Sequence, residues 1–368
     1  MTAHDLFTPV RLGAFSLRNR MVMAPMTRMR AAPGGVPTAD MARYYAQRAS
    51  AGLIVTEATS ISVQGSGCLN APGIHTDAQR AGWRQVVKEV HEAGGLFFLQ
   101  LWHMGRISHP SFQAGGALPV APSAIAPRSG RILTATGMQD YVAPRALDRK
   151  ELPHIVAQYV AAAHCALSAG CDGVEIHNAN GYLLDQFLRD GTNHRSDEYG
   201  GSIANRCRLT IEVAEAVTQA CGAGRVGIRF SPSSNFNDMS DTTPLPTFRH
   251  VLRELNQLRL AYVHVITASD EDVRHGGVAV PLVTLRRAHH GPMIAANGFD
   301  RASATRLLAE GGADAVAFGR LFLANPDLPE RFRADAPLNT PDESTFYGGT
   351  SAGYTDYPSL GTQSATQP

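Results

Sequence analysis

Lysine is nearly missing from this chain: only Lys88 and Lys150 occur, and arginine supplies every other basic side chain. Each lysine lies within or at the opening of a helical pattern. That argues against a Schiff-base aldolase, whose chemistry needs a lysine amine in the pocket. The five cysteines, Cys68, Cys165, Cys171, Cys207 and Cys221, form no C-x-x-C and are odd in number, so neither a disulfide framework nor a zinc site is indicated. Charge of one sign is lacking too. A formal net charge of +1 with interspersed signs leaves no electrostatic footprint for nucleic acid or an anionic membrane, which points to small-molecule partners. No window approaches about 18 uninterrupted apolar residues, and Met1 to Arg20 has no signal-peptide core. A cytoplasmic protein, monomeric or homodimeric, is the expectation. No H-E-x-x-H occurs, and strand-end carboxylates are limited to Glu57 and Glu175, too few for a metal site.

What the chain does have is 44% hydrophobic residues over 368 positions, enough for a substantial core. One domain over residues 1–360 is expected, with an unstructured tail at 361–368. Eight short apolar runs recur: Met21 to Ala24, Leu53 to Thr56, Leu96 to Leu99, Val174 to Ile176, Val226 to Phe230, Tyr262 to Ile266, Met293 to Ala296 and Ala315 to Phe318. Amphipathic stretches of helical period separate them, such as Asp77 to Ala93, Asp148 to Ala169, Ala204 to Cys221, Pro246 to Gln257 and Arg301 to Glu310. Eight β/α units predict an α/β fold, a (β/α)8 TIM barrel. No G-x-G-x-x-G follows the first run, which disfavours an open dinucleotide-binding sheet. Residues 106–145, rich in proline and glycine and without helical period, read as an excursion after the third strand that forms a lid or a wall of the pocket. The run Phe346-Tyr347-Gly348-Gly349 is expected to pack back on the rim.

A barrel carries its active site at the C-terminal ends of its strands. There the sequence places Thr27, Ala58, Gln100, His177 with Asn180, Arg229, Asn297-Gly298 and Gly319-Arg320. The stretch Gly173 to Phe187 is the most telling. It delivers the imidazole of His177 and the carboxamide of Asn180, two donors for a substrate oxygen, beside Tyr182, whose phenol can give up a proton. The alternative is a strand-end histidine satisfied by the backbone and a turn built on Asn180-Gly181. Asn297-Gly298 and Gly319-Arg320 fit the phosphate site that barrels build after strands seven and eight, the alternative for Arg320 being a structural salt bridge. Arg229, inside a strand, requires an anionic or electron-rich partner, or else a pair with Glu175 or Glu57 inside the barrel. A phosphate-bearing cofactor with a polar ring system suits this set. FMN offers a phosphate for Arg320, ring edges for Gln100 and Thr27, and negative charge in its reduced state for Arg229.

The chain resembles the old yellow enzymes, a family of FMN-dependent ene-reductases. The matching residues run from Leu6-Phe7 to Tyr357-Pro358. They include Asn19-Arg20, Met23 to Arg28, Tyr44 to Ala49, Gln100 to Arg106, His177 to Phe187, Arg195 to Ser202 with Asn205-Arg206, Phe318-Gly319-Arg320, Asn325 to Leu328 and Tyr347-Gly348-Gly349. The resemblance implies FMN held noncovalently and reduced by NADPH or NADH. It places Ala24, Pro25, Met26, Thr27, Ala58, Gln100, His177, Arg229, Asn297, Gly298, Phe318, Gly319 and Arg320 at the cofactor. Thr27, Trp102, His177, Asn180, Tyr182 and Tyr347 would meet the substrate. It further implies hydride transfer from flavin N5 to an activated C=C bond of an α,β-unsaturated carbonyl, with the proton from Tyr182. Asn180 stands where many bacterial relatives carry a second histidine, Cys68 where several carry tyrosine, and the loop 231–246 is individual. The competing readings are a nitrate-ester or nitroaromatic reductase using the same site, a flavin-storage protein, which would need neither the donor pair nor Tyr182, and a colourless metal-dependent barrel lyase.

Overall fold

The computed structural model describes residues 5–274 and 276–363. Eight parallel strands close on themselves: β1 (Met21–Met23), β2 (Leu53–Val55), β3 (Phe97–Trp102), β4 (Gly173–His177), β5 (Val226–Phe230), β6 (Tyr262–Ile266), β7 (Met293–Ala296) and β8 (Ala315–Phe318). Each pairs with its neighbour in sequence, and β8 pairs with β1 to complete the ring. The expected (β/α)8 barrel is the observed fold. Around it lie α1 (Ala39–Ala46), α2 (Asp77–Glu92), α3 (Leu152–Ser168), α4 (Ile203–Cys221), α5 (Pro244–Leu255), α6 (Leu282–Ala288), α7 (Arg301–Ala309) and α8 (Leu328–Ala334). Local chemistry fixes their starts. Thr76 and Gln79 form a reciprocal capping box at α2, and Ser202 accepts from the Asn205 amide at α4. The α5 helix begins two residues before its sequence-based start because Pro244, already set at helical φ, occupies the first turn.

Strand alternation sorts the apolar residues into two cores. Met21, Met23, Ile54, Val174, Ile176, Ile228, Val263 and Val316 face the helices in the larger cluster. Val22, Leu53, Val55, Phe98, Tyr262, Ile294 and Ala315 fill the barrel, whose lower end is plugged by a hairpin of Val10–Leu12 and Phe15–Leu17. Phe15 meets Phe98 edge to face at 5.6 Å. Gly227 is required by this filling, since a Cβ there would lie 2.3 Å from Cζ of Tyr262. The upper interior is different. There β3 to β6 turn Gln100, Glu175, His177, Arg229 and His264 inward, all of them buried.

The excursion 106–145 is not a plain loop. It contains an antiparallel hairpin, Arg131–Thr134 with Gly137–Asp140, and a two-residue parallel pairing of Val120–Ala121 with Arg145–Ala146. Of the expected tail, residues 361–363 fall in a short helix, Leu360–Gln363, and 364–368 lie outside the described residues. No helix among the described residues is long and apolar enough to cross a membrane.

Candidate active site

A cavity of about 730 Å³ opens at the C-terminal end of the barrel. Pro25, Met26, Thr27, Ala58, Gln100, Trp102, His177, Asn180, Tyr182, Arg229, Gly319, Arg320 and Tyr347 all border it, gathered from seven separate stretches of chain. Its size is ordinary for a small-molecule or cofactor site. Ala24, Phe318, Asn297 and Gly298 are not on its walls. The Ala24 amide donates to the Phe318 carbonyl at 3.1 Å, tying β1 to β8, while the Asn297 side chain donates to the Thr267 carbonyl at 2.9 Å from an exposed position.

The β4 strand ends at His177, and the chain then turns through Asn180 and Gly181, with φ of 58° and 75°. The turn read from the sequence is therefore present, and it serves the site. The Asn180 amide donates to Ser231 Oγ at 2.7 Å, Asn237 Nδ2 donates to the Asn180 carbonyl at 2.8 Å, and the Gly181 amide donates to Asp185 Oδ2 at 2.9 Å. A Cβ on Gly181 would sit 2.7 Å from Cγ of Met239, so glycine is needed both for φ and for space. With its backbone pinned at both ends, Asn180 holds a fixed place on the cavity wall.

Tyr182 follows, packed edge to face against Trp102 at 4.9 Å and against His177 at 5.0 Å. Trp102 in turn lies nearly parallel to His177 at 6.5 Å. These three rings lock one another. Burial pushes the Tyr182 phenol well up; Cys68, Tyr141 and Tyr347 add to this, and a hydrogen bond with Asn237 only partly opposes it. The phenol therefore keeps its proton throughout the neutral range. His177 is held far below its ordinary range, first by burial and then by its neighbours Arg229 and His264, so its imidazole is neutral. The backbone does not satisfy it: Nδ1 is buried without a partner.

Arg229 stands beside His177 in the β4–β5 register and beside His264 in the β5–β6 register. It pairs with neither Glu175 nor Glu57, which corrects the alternative drawn from the sequence. Glu175 is taken by Gln100 at 2.7 Å and His264 at 2.9 Å, and Glu57 by the Tyr45 hydroxyl and the Arg28 amide, each at 3.2 Å. Arg229 Nε is buried with no partner. An unpaired guanidinium on a cavity wall is costly unless an anionic or electron-rich group meets it there. Arg320 is 73% exposed at the rim, 3.5 Å from Glu343, a contact of little energetic weight.

Sequence reasoning missed several wall residues. Ile132, Leu133 and Tyr141 reach the cavity from the excursion, and Phe236 and Asn237 from the loop 231–246. Phe346 borders it as well, next to the expected Tyr347, on a C-terminal strap held by three arginines. Arg28 donates to the carbonyls of Thr345, Phe346 and Gly353, Arg30 to those of Thr345, Thr350 and Ala352, and Arg48 to that of Tyr354, whose ring stacks on Tyr44 at 4.1 Å. Tyr44 and Arg48, two residues of the motif Tyr44 to Ala49, thus serve this strap. Arg195, in another motif, ties the base of the excursion through the carbonyls of Pro122 and Leu147.

The site's polar inventory fits a flavin. Arg229 offers a cation whose Nε has no hydrogen-bond partner, Gln100 and Thr27 offer amide and hydroxyl groups on the wall, and Arg320 stands at the mouth. Residues 5–339 match the family described as NADH:flavin oxidoreductase / NADH oxidase. The 12-oxophytodienoate reductase 1 of Oryza sativa subsp. japonica is 44% identical over 367 residues, covering 97% of this chain and 94% of that protein. Morphinone reductase is similar in structure at a TM-score of 0.94 and 45% identity, covering 100% of this chain and 99% of its own. The old yellow enzyme homologue from Zymomonas mobilis follows at a TM-score of 0.91 and 43% identity, covering 96% and 99%.

Proposed function

The chain belongs to the NADH:flavin oxidoreductase / NADH oxidase family, the old yellow enzymes, and from that premise we propose that it is an FMN-dependent ene-reductase. In this reading a nicotinamide is the reductant, and the substrate is an α,β-unsaturated carbonyl compound or another activated alkene. When bound, FMN supplies the hydride for the electron-poor carbon. Neutral His177 and Asn180 donate to the substrate oxygen, where negative charge gathers as the double bond is reduced. Tyr182 holds a proton at its phenol oxygen for the neighbouring carbon. In this reading Arg229 would face the electron-rich side of the ring and Arg320 would take the phosphate.

The observation that carries this reading is the conjunction, on one cavity wall, of an unpaired buried arginine with a neutral histidine and a buried, protonated tyrosine. A nitrate-ester or nitro acceptor needs hydride but no proton on carbon, so a phenol wedged between Trp102 and His177 favours the alkene. The test is a visible spectrum of the purified protein, before and after anaerobic NADPH and again after cyclohexenone. A flavin band that bleaches and then returns is expected, and a colourless protein would end the proposal.

Two variants probe the cofactor contacts. Arg320→Ala should leave thermal stability unchanged, since the guanidinium is exposed. It should weaken FMN binding, because a hydrogen bond to a charged group contributes about 1.5–3 kcal/mol, or roughly 10- to 100-fold in Kd. Flavin content after gel filtration measures this, and full occupancy would refute the contact. Arg229→Ala should lower the reduction potential, because a cation beside the ring favours the reduced, anionic form. A unit charge at contact distance contributes about 1–4 kcal/mol, which for two electrons is roughly 20–90 mV. An unchanged potential would remove Arg229 from the ring.

A further inference from the structure

Below the cavity lies a cluster of buried polar side chains: Gln100 on β3, Glu175 on β4, Arg229 on β5, and Tyr262 and His264 on β6. Only Gln100 and Arg229 reach the cavity wall. Glu175 is fully buried and does not, so it can act on a bound ligand only through its neighbours. Its Oε1 accepts from Gln100 Nε2 at 2.7 Å, and its Oε2 lies 2.9 Å from His264 Nδ1. Burial opposes the charge on Glu175, but His264, Arg229 and Gln100 together outweigh it and hold the carboxyl below its ordinary range. Burial keeps the Tyr262 phenol protonated, with the Glu175 charge acting in the same direction.

An ionised carboxylate only accepts. Facing one, the Gln100 amide must present its nitrogen, and His264 must carry its proton on Nδ1. The two ends of a carboxamide are nearly the same size, so nothing steric decides which one faces a ligand. Here Glu175 decides it from below, and the oxygen of Gln100 is left for the cavity.

We propose that Glu175 is a positioning residue of the cofactor site, fixing the Gln100 amide so that its oxygen selects a ring edge that carries an N–H. The flavin pyrimidine edge, with its N3–H, is such a group, and the inference rests on the flavin reading above. A purely structural buried carboxylate would affect stability without affecting which ring edge is accepted.

The test compares the affinity of the deflavinated, refolded-in-buffer native enzyme for FMN and for N3-methyl-FMN, alongside thermal melting. The native enzyme should bind FMN roughly 5- to 100-fold more tightly, the consequence of leaving a buried acceptor unmade. In Glu175→Gln that ratio should fall to about threefold or less, because a second amide can face Gln100 with either end. Gln100→Leu should lower the ratio equally, and the double variant no further, since the two residues act as one unit. If Glu175→Gln does not fold, Glu175→Asp decides, because it keeps the charge in the barrel but withdraws it from Gln100, and its ratio should also fall. A native enzyme without discrimination, or a variant that melts earlier yet keeps the native ratio, overturns the proposal. A protein that binds neither flavin fails the functional reading instead.

Discussion

His177→Ala and Asn180→Ala should each slow the reoxidation of reduced enzyme by an enone by roughly 10²–10³, the loss of about 2.7–4 kcal/mol that follows removal of one preorganised donor to a developing oxyanion. Both side chains border the cavity, His177 at the end of β4 packed beside Trp102, and Asn180 on a backbone pinned by bonds to Ser231 and Asn237. Their effects should combine to less than the sum, because in the proposed clamp the two donors share one oxygen. Phenol-like inhibitors, which mimic the bound oxyanion, should weaken in parallel. The double variant measured by rapid mixing, together with inhibitor titration, decides the point. Full additivity, or unaltered phenol binding in both variants, would place the oxyanion elsewhere. His177 is neutral at neutral pH, so the rate should also show no step from its titration between about pH 6 and pH 8.

Much of this architecture was legible because it is periodic. Eight apolar runs separated by helical stretches leave few folds but a barrel, and the barrel then places strand-end residues in one mouth without knowledge of any contact. Alternation carried further information, of which only the inward-facing Glu175 entered the sequence-based expectations. Residues two apart on a strand share a face, so His177 inside implies Glu175 inside, and Tyr262 inside implies His264 inside. The buried cluster under Gln100 could have been found this way. Its wiring could not, since whether Glu175 meets Arg229 or His264 depends on cross-strand register, which is set by the packing of the whole ring.

The less legible parts are those without a period. The hairpin Arg131–Thr134 with Gly137–Asp140 has a strand pattern too short to stand out from a proline- and glycine-rich stretch, yet it brings Ile132 and Leu133 to the cavity. The motif around Tyr44 and Arg48 gave no sign that it grips the distant C-terminal strap, because its bonds go to backbone carbonyls, which any sequence supplies. The cavity also adjoins Cys68, whose thiol burial pushes up to about 12, so that it contributes small apolar bulk and not a nucleophile.

Tyr182→Phe should leave reduction by the nicotinamide nearly intact while slowing reoxidation by an enone roughly 10²–10⁴-fold, the usual contribution of a positioned general acid. The substitution removes one oxygen and leaves the ring where Trp102 and His177 hold it, so packing should be conserved and the effect chemical. Reduction by the nicotinamide takes no proton from this phenol. In the proposed reaction an enone does, at the carbon next to the carbonyl, and only a group that is still protonated can give it. Burial first, then the neighbours Cys68 and Tyr141, keep the Tyr182 proton in place across the neutral range. The native rate should accordingly be flat to about pH 9, below the ordinary tyrosine value of about 10. Quinones and nitrate esters, which need no proton on carbon, should be reduced by the variant at near-native rates. Stopped-flow traces of the two half-reactions separate these outcomes. Equal slowing with enone and quinone, or slowing of reduction alone, would leave Tyr182 a packing residue and require another source for the proton.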